Sequence, residues 1–183
     1  MATAESVRMI ALLRGVNVGG ITVTSAALAS TFVGEGFANV RTVLASGNVA
    51  FDAPGGAPDA RDLKARIESA LERAFGYDAW IVLLTRQRVA EIAEAYPFPR
   101  ADEVDHPYVV FSSSPDVAER LLAAGRGLLL PTESLEAGDG VLYWRVPKGS
   151  TLGTPFAKLL AKPRYKPHLT TRNLRTVEKL AQA

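Results

Sequence analysis

The sequence predicts an α+β protein whose N-terminal half is a ferredoxin-like split β-α-β unit (βαββαβ) packed with a second, smaller α/β half. Two observations predict this class. Short apolar runs alternate with segments of helical periodicity, and over the first half they follow the order β-α-β-β-α-β. The chain has 183 residues, 48% of them apolar, which is enough to bury a core. We divide it into residues 1–84 and residues 85–183.

The first predicted element is a buried strand, Val7–Leu13, whose apolar run ends at Arg14-Gly15. A helix follows and begins at Thr24 or Ser25, because a hydroxyl at that position accepts a hydrogen bond from the first turn. Leu28 and Phe32 are predicted to face the core, and Gly36 ends the helix.

A hairpin, a second helix and a strand complete the first half. Two valine-rich runs, Asn39–Ala45 and Asn48–Asp52, are separated by little more than Ser46-Gly47, which predicts a tight hairpin. The helix has Pro58 in its first turn, with two carboxylates near its positive end. The two carboxylates are Asp59 and Asp62, and Gly76 ends the helix. The residues predicted to face inward are Leu63, Ile67, Ala70, Leu71 and Ala74. The last strand of this half is Ala79–Leu84.

The second half continues the alternation less regularly. A helix capped by Thr85 has inward Val89, Ile92, Ala93 and Tyr96, and Pro97-Phe98-Pro99 ends it. The strands are His106–Phe111, Ser134–Ala137 and Val141–Val146, and the helices are Ser114-Pro115 to Gly125, Phe156–Leu160 and Thr171–Leu180, with a break at Pro163–Pro167. Because no internal repeat is visible, any likeness between the halves rests on element order alone.

Charge is distributed unevenly along the chain. Residues 1–139 contain 12 Lys and Arg against 18 Asp and Glu, whereas residues 140–183 contain 9 against a single acid, Glu178. This asymmetry favours an anionic partner, phosphate or nucleic acid, for the basic C-terminal segment. The alternative is that the segment packs against the acidic part of its own chain or forms a solvated surface.

Composition excludes several classes of chemistry. The chain has no cysteine, which excludes disulfides, thiol catalysis and thiolate metal sites. Its two histidines, His106 and His168, are too few for a histidine-rich metal site. A magnesium site made of carboxylates stays open, but no motif indicates one, so we expect neither metal nor cofactor. No run approaches the roughly 18 apolar residues of a membrane helix, and Met1–Arg8 lacks a signal-peptide pattern. We therefore expect no membrane partner and a cytoplasmic location.

The glycine-rich loop after the first strand is the first candidate binding segment. Its sequence, Arg14-Gly15-Val16-Asn17-Val18-Gly19-Gly20, fits neither G-x-G-x-x-G nor the Walker pattern. Its backbone N–H groups would still form an anion-binding nest beside the Arg14 guanidinium, with Asn17, Gly19 and Gly20 as ligand contacts. The alternative is a purely structural loop in which Gly19 and Gly20 adopt positive φ.

The turn Ser46-Gly47-Asn48 is the second candidate segment, contributing Ser46 and Asn48. Serine before a turn glycine resembles a nucleophile only loosely, because no histidine lies nearby in sequence to act as its base. A turn of Ser, Gly and Asn also needs no function, since these are ordinary turn residues.

The third candidate segment is Thr171, Arg172 and Asn173, at a predicted helix start. Helix N-termini attract anions through their N–H groups and the helix dipole, and arginine adds a bidentate fork. It is equally open that Thr171 only caps the helix and that Arg172 is a solvated surface residue. We expect His168 to be a packed or surface residue rather than a general base.

Together these segments resemble a bacterial family, domain of unknown function 1697. The matching stretches are Ala11–Gly20, Ser46–Val49, Pro97–Pro99, Thr170–Asn173, Thr176-Val177 and Lys179-Leu180. The resemblance implies a two-part α+β protein of about this length and no particular reaction. The chain departs from the family at Ala45, where members often have Gln, at Leu174, where they often have Trp, and after Gly20, where the loop is shorter and lacks a lysine. A ligand that contacts those residues would bind more weakly here or be a different one.

These observations leave more than one function open. We favour binding of a phosphorylated or other anionic small molecule at a composite site built from the three segments. Nucleic-acid binding by the basic C-terminal segment is an alternative, although the strand Val7–Leu13 offers no aromatic ring on which a base could stack. A protein-interaction module without a small ligand is the third. Whether the protein is an enzyme stays open, since Arg, Asn, Ser and Thr suit charge stabilisation better than proton transfer.

Overall fold

The structure is a computed structural model that describes residues 6–15, 21–44, 47–55, 59–100 and 103–183. It forms two compact units. The first unit contains the described residues up to Ala90 together with Glu178–Ala183, and the second unit is Glu91–Val177. We predicted a boundary after residue 84; the structure divides the chain after residue 90, and its C-terminal residues belong to the first unit.

The first unit contains a four-stranded antiparallel sheet and two long helices. The elements are β1 (Val7–Arg14), α1 (Ser25–Gly34), β2 (Ala38–Thr42), β3 (Asn48–Ala53), α2 (Ala60–Phe75) and β4 (Trp80–Thr85). Their strand order in the sheet is β2-β3-β1-β4, so β1 lies between β3 and β4. The predicted element order β-α-β-β-α-β is confirmed.

Caps and helical spacing explain the local structure of this unit. The Thr24 side chain accepts a hydrogen bond from the Ala27 N–H at the start of α1, and Asp59 accepts one from Arg61 at the start of α2. Gly76 ends α2 in the left-handed conformation, which glycine adopts without steric cost. The core contains Phe32, Phe37 and Phe51, whose ring centroids lie 4.6 to 5.9 Å apart.

Three local predictions for the first unit need correction. Strand β2 ends at Thr42 rather than at residue 45, so the connection to β3 is longer than a tight two-residue turn. Helix α2 begins at Ala60 after its cap Asp59, while Pro58 lies outside the described residues. Ala74 is exposed, because the buried stripe of α2 ends at Leu71.

The second unit has the same element order. Its elements are β5 (Asp105–Ser112), α4 (Pro115–Arg126), β6 (Ser134–Ala137), β7 (Val141–Pro147), α5 (Pro155–Leu160) and β8 (Leu169–Asn173). Their sheet order is β6-β7-β5-β8, which matches the first sheet position by position. Helices α3 (Arg86–Glu94) and α6 (Leu174–Ala181) contain the residues at which the chain passes between the units.

The prediction of one helix over Thr171–Leu180 is wrong in its first turn. Residues Leu169–Asn173 form β8, which pairs antiparallel with β5, and α6 begins only at Leu174. Asn173 caps that helix, since its Oδ1 accepts a hydrogen bond from the Arg175 N–H. Thr171 is therefore a strand residue and not the cap.

One face of the second sheet packs against α4 and α5. Trp144 is buried there, with its ring 5.2 Å from Phe156 and 5.4 Å from Tyr108. A Cβ added at Gly125 would lie 2.5 Å from the Phe156 ring, so only glycine allows α4 and α5 to approach this closely. The Trp144 Nε1 donates to Glu133, whose other carboxylate oxygen accepts from the Leu130 N–H.

Candidate functional site

Two of the candidate residues lie at one end of the first sheet, where β1 ends and β3 begins. Arg14 is the last residue of β1 and pairs with Trp80 on β4. The Leu13 N–H donates to the Gly47 carbonyl at 2.8 Å, and Leu12 pairs with Asn48. The other predicted residues of these two segments, Asn17, Gly19, Gly20 and Ser46, lie outside the described residues.

Arg14 and Asn48 have different surroundings at this end of the sheet. Burial raises the pKa of Tyr77, and the nearby Arg14 cation opposes that rise. Asn48 is buried, and its side-chain Nδ2 donates to the Val43 carbonyl at 3.1 Å. The backbone carbonyl of Asn48 accepts a hydrogen bond from the Val43 N–H. These bonds fix the connection between β2 and β3, so Asn48 has a structural role whatever its part in binding.

The third candidate segment is split between the two faces of β8. Successive side chains of a strand point to opposite faces, so Thr171 and Asn173 share one face and Arg172 lies on the other. The Arg172 Nη1 donates to the Thr170 Oγ1 at 2.7 Å and to the Thr171 carbonyl at 3.0 Å. Burial lowers the pKa of Arg172 to about 10, which leaves it cationic at neutral pH.

A basic cavity of about 230 Å³ lies in the second unit where β5 begins and β8 ends. We define it by its polar lining residues, which are Arg100, Asp105, His106, Lys148, Asn173 and Arg175. Three of these are cations from three separate segments of the chain: the loop before β5, the residue after β7 and the first turn of α6. The cavity is a product of strand pairing, because these segments are far apart in sequence.

Backbone acceptors position two of the three cations. The Arg100 Nη2 donates to the carbonyls of Ala93 and Glu94, at 2.7 and 2.9 Å, at the end of α3. The Lys148 Nζ donates to the Glu103 carbonyl at 2.6 Å. These bonds to neutral carbonyl oxygens orient the two side chains.

The wall of the basic cavity consists mainly of donors. The Oδ1 of Asn173 already accepts the hydrogen bond that caps α6, and the Nδ2 of the same amide can only donate. Among the described lining residues Asp105 is the single carboxylate, and its Oδ2 lies 3.6 Å from the Nε of Arg145. Donors and cations without a matching set of acceptors are the arrangement that binds anions.

An apolar cavity of about 310 Å³ also lies in the second unit. We define it by Tyr108, Trp144, Leu152, Leu160, Ala161 and Thr171. Lys166 is the one charged residue on its described wall. Leu152 is 89% exposed at its rim, which is unusual for a leucine.

The first unit also has a cavity that contains cations, although fewer of them. About 410 Å³ of space lies beside β2 and its following connection, where Arg41 and Lys179 line the wall with the backbone of Thr42–Leu44. This cavity lies at the β2–β3 connection, whereas the basic cavity of the second unit lies where β5 begins and β8 ends.

Strand pairing also brings together Ser113 and His168, which the sequence analysis did not connect. The Ser113 Oγ lies 3.3 Å from the His168 Nδ1, and the Ser113 N–H donates to the His168 carbonyl. Both residues are exposed, and no carboxylate within the described ranges hydrogen-bonds the imidazole. The pair therefore lacks the third group that orients a catalytic base.

Two further features are absent from the part of the chain that the structure describes. The described residues contain no group of three or more His, Cys, Asp or Glu side chains placed to hold a metal ion. Over the same residues, no helix is long and apolar enough to cross a membrane.

Comparison with known proteins places the chain in a family. A family model described as a protein of unknown function (DUF1697) matches residues 7–143. The chain belongs to the DUF1697 family. The family inferred from the sequence motifs is thus confirmed, although the match ends before the third segment, Thr171–Asn173.

A solved structure agrees with the DUF1697 chain over nearly its whole length. A conserved bacterial protein, SP0830 from Streptococcus pneumoniae, is 25% identical, covers 97% of this chain and 98% of its own, and has a TM-score of 0.78. An unknown protein from Galdieria sulphuraria is 16% identical, covers 92% of this chain and 98% of its own, and has a TM-score of 0.27. No curated protein matches the chain. Neither the family nor the neighbour names an activity.

Proposed function

We propose that this protein binds a phosphorylated or other anionic small molecule in the basic cavity of the second unit. The observation that carries the proposal is the convergence of Arg100, Lys148 and Arg175 on one cavity. Cations that line one cavity create a positive potential there, which attracts an anionic ligand. Asp105 is the one carboxylate of the described lining, so the cations outnumber the acids.

The lining residues suit a phosphate or carboxylate group in geometry as well as charge. Arginine offers planar, bidentate donors, lysine offers a compact charge, and the Asn173 amide and the His106 ring add directional donors. Two of these groups come from strands, since His106 lies in β5 and Asn173 in β8. A site built in this way orients one anionic group rather than attracting anions diffusely.

The basic cavity shares one residue, Asn173, with the composite site predicted from the sequence, and Thr171 lines the apolar cavity. Participation of Arg14, Asn17, Gly19, Gly20, Ser46, Asn48 and Arg172 in the same site stays a prediction. The proposal therefore keeps the ligand class that the sequence favoured and assigns it to a different set of residues.

The test is the thermal stabilisation of the protein by inorganic phosphate. At about 100 times the Kd, a ligand adds roughly 2.7 kcal/mol to the free energy of unfolding, about 5 to 10 °C in Tm for a chain of this size. We expect this shift in the wild type and its loss in Arg175→Gln. Lys162→Gln is the control, because it removes an exposed cation that lines neither cavity, and it should keep the shift.

Two results would overturn the assignment. If Arg41→Gln abolished the shift while Arg175→Gln kept it, the anion would bind in the first unit. If phosphate had no effect and only an oligonucleotide stabilised the protein, with a shift that fell steeply as salt increased, nucleic acid would be the ligand.

A further inference from the structure

Residues from the linings of the basic and the apolar cavity are neighbours on one face of the second sheet. Tyr108, which lines the apolar cavity, pairs directly with Asn173, which lines the basic one. Side chains of directly opposed residues in antiparallel strands are in contact range, with Cβ atoms roughly 5 Å apart. At Tyr108 and Asn173 the linings of the two cavities are therefore within side-chain contact range of each other.

The same proximity is found along each strand. His106 and Tyr108 are two residues apart in β5 and have ring centroids 5.8 Å apart, one ring in each cavity. Asn173 and Thr171 are likewise two residues apart in β8, on the same face. Two residues along a strand span roughly 7 Å, so a polar contact and an apolar contact roughly 7 Å apart are both within reach of one small molecule.

From this juxtaposition we propose that the ligand of the basic cavity is an organic anion that carries a flat apolar ring, with the anionic group among Arg100, Lys148 and Arg175 and the ring beside Tyr108. This inference rests on the proposed anion binding and specifies its ligand class. The exposed Leu152 and Ala161 also line the apolar cavity, in which the ring of the ligand would lie.

Size and surface chemistry support a two-part ligand. The basic cavity alone is smaller than the roughly 300–1,000 Å³ of typical ligand pockets, whereas the two cavities together fall in that range. The stacked Tyr108 and Trp144 rings form a rigid apolar wall, and the Tyr108 hydroxyl is held 3.4 Å from the Thr151 Oγ1. A rigid aromatic wall favours a planar partner, because little side-chain entropy is lost on contact.

The experiment compares phenyl phosphate with methyl phosphate, which share the anionic group and differ in the ring. Dissociation constants are measured by NMR titration of the full chain. We expect phenyl phosphate to bind at least about tenfold more tightly, because the ring loses water-exposed apolar surface in the apolar cavity. In Ala161→Trp, which fills that cavity from an exposed position, this preference should disappear while methyl phosphate binds as before.

Control variants separate failure of this inference from failure of the proposed function. Leu152→Gln should reduce the preference for phenyl phosphate, whereas Leu130→Gln changes an exposed leucine that lines neither cavity and should leave it unchanged. If both esters bound equally well and Arg175→Gln abolished the binding of each, the proposed contact with the ring would be wrong, whereas the proposed anion site would be supported. Failure of Arg175→Gln to weaken either ester would overturn both.

Discussion

The two units share one strand order and use their charged side chains differently. In the first unit, Arg8 pairs with Asp52 at 3.0 Å, and Glu35 pairs with both Arg66 and Arg73. In the second unit, the Lys148 ammonium of the basic cavity donates to the Glu103 carbonyl, and the Arg100 guanidinium donates to two carbonyls at the end of α3. A carboxylate partner adds a negative charge beside a cation, whereas a carbonyl partner orients the cation without adding one.

Net charge does not reveal this difference. The first unit contains 10 Lys and Arg against 9 Asp and Glu, and the second contains 11 against 10. The strong asymmetry along the sequence disappears because the second unit combines the basic segment after residue 140 with the acidic stretch that precedes it. A binding surface is thus identified by what each cation contacts and not by the charge of its domain.

We expect the largest loss of stability from removing Glu133, a carboxylate of the second unit that has a structural role. Glu133 is buried and accepts hydrogen bonds from the Trp144 Nε1 and the Leu130 N–H, at 3.0 and 2.9 Å. Glu133→Ala leaves two donors without this acceptor, so we expect the free energy of unfolding in urea to fall by about 3 kcal/mol. The exposed neighbour Glu136→Ala should change it by less than about 0.5 kcal/mol. A change of equal size in both variants would contradict this account.

The next effect tests the paired charges of the first unit. Hydrogen bonds from Asn39 and Arg8 hold the pKa of Asp52 below its ordinary value. Because the folded pKa is depressed, this stabilisation is present above the unfolded value of about 3.9 and is lost as pH falls through the folded pKa.

We expect Asp52→Ala to lower the free energy of unfolding by about 1 to 2 kcal/mol at pH 7, because it removes both hydrogen bonds to the carboxylate. The difference from wild type should shrink as pH falls below 4, in urea titrations at several pH values. Asp78→Ala, at an exposed position, is the control. A difference that did not depend on pH would show that the pairing contributes no charge-dependent stability.

We expect the smallest change in stability from Arg175→Gln, which asks whether a cation of the basic cavity has a structural role. Without added anion, Arg175→Gln removes one of the converging cations of the basic cavity and should leave the free energy of unfolding unchanged or raise it by up to about 0.5 kcal/mol. Thermal unfolding in a low-salt buffer free of phosphate measures this. A loss of more than about 1 kcal/mol would mean that Arg175 is structural, like Arg8.

The sequence by itself determined the local elements and the family. Periodicity located β1, α1, α2, β5 and α4, because a helix or strand that buries one face repeats its apolar residues at a fixed spacing. Short-range chemistry also located the ends, as with the caps Thr24 and Ser114. The hydrogen bonds that form a cap join residues two or three apart, so they are visible in sequence.

Only the tertiary structure decided the features that depend on strand pairing. Residues Leu169–Asn173 are a strand because β5 pairs with them; the five residues alone, next to a helix, carry no distinguishing period. The same pairing sets Asn173 opposite Tyr108 and turns Arg172 to the other face. Arg100, Lys148 and Arg175 converge for the same reason, since the order of strands in a sheet is fixed by contacts between segments distant in sequence and by burial of the whole core.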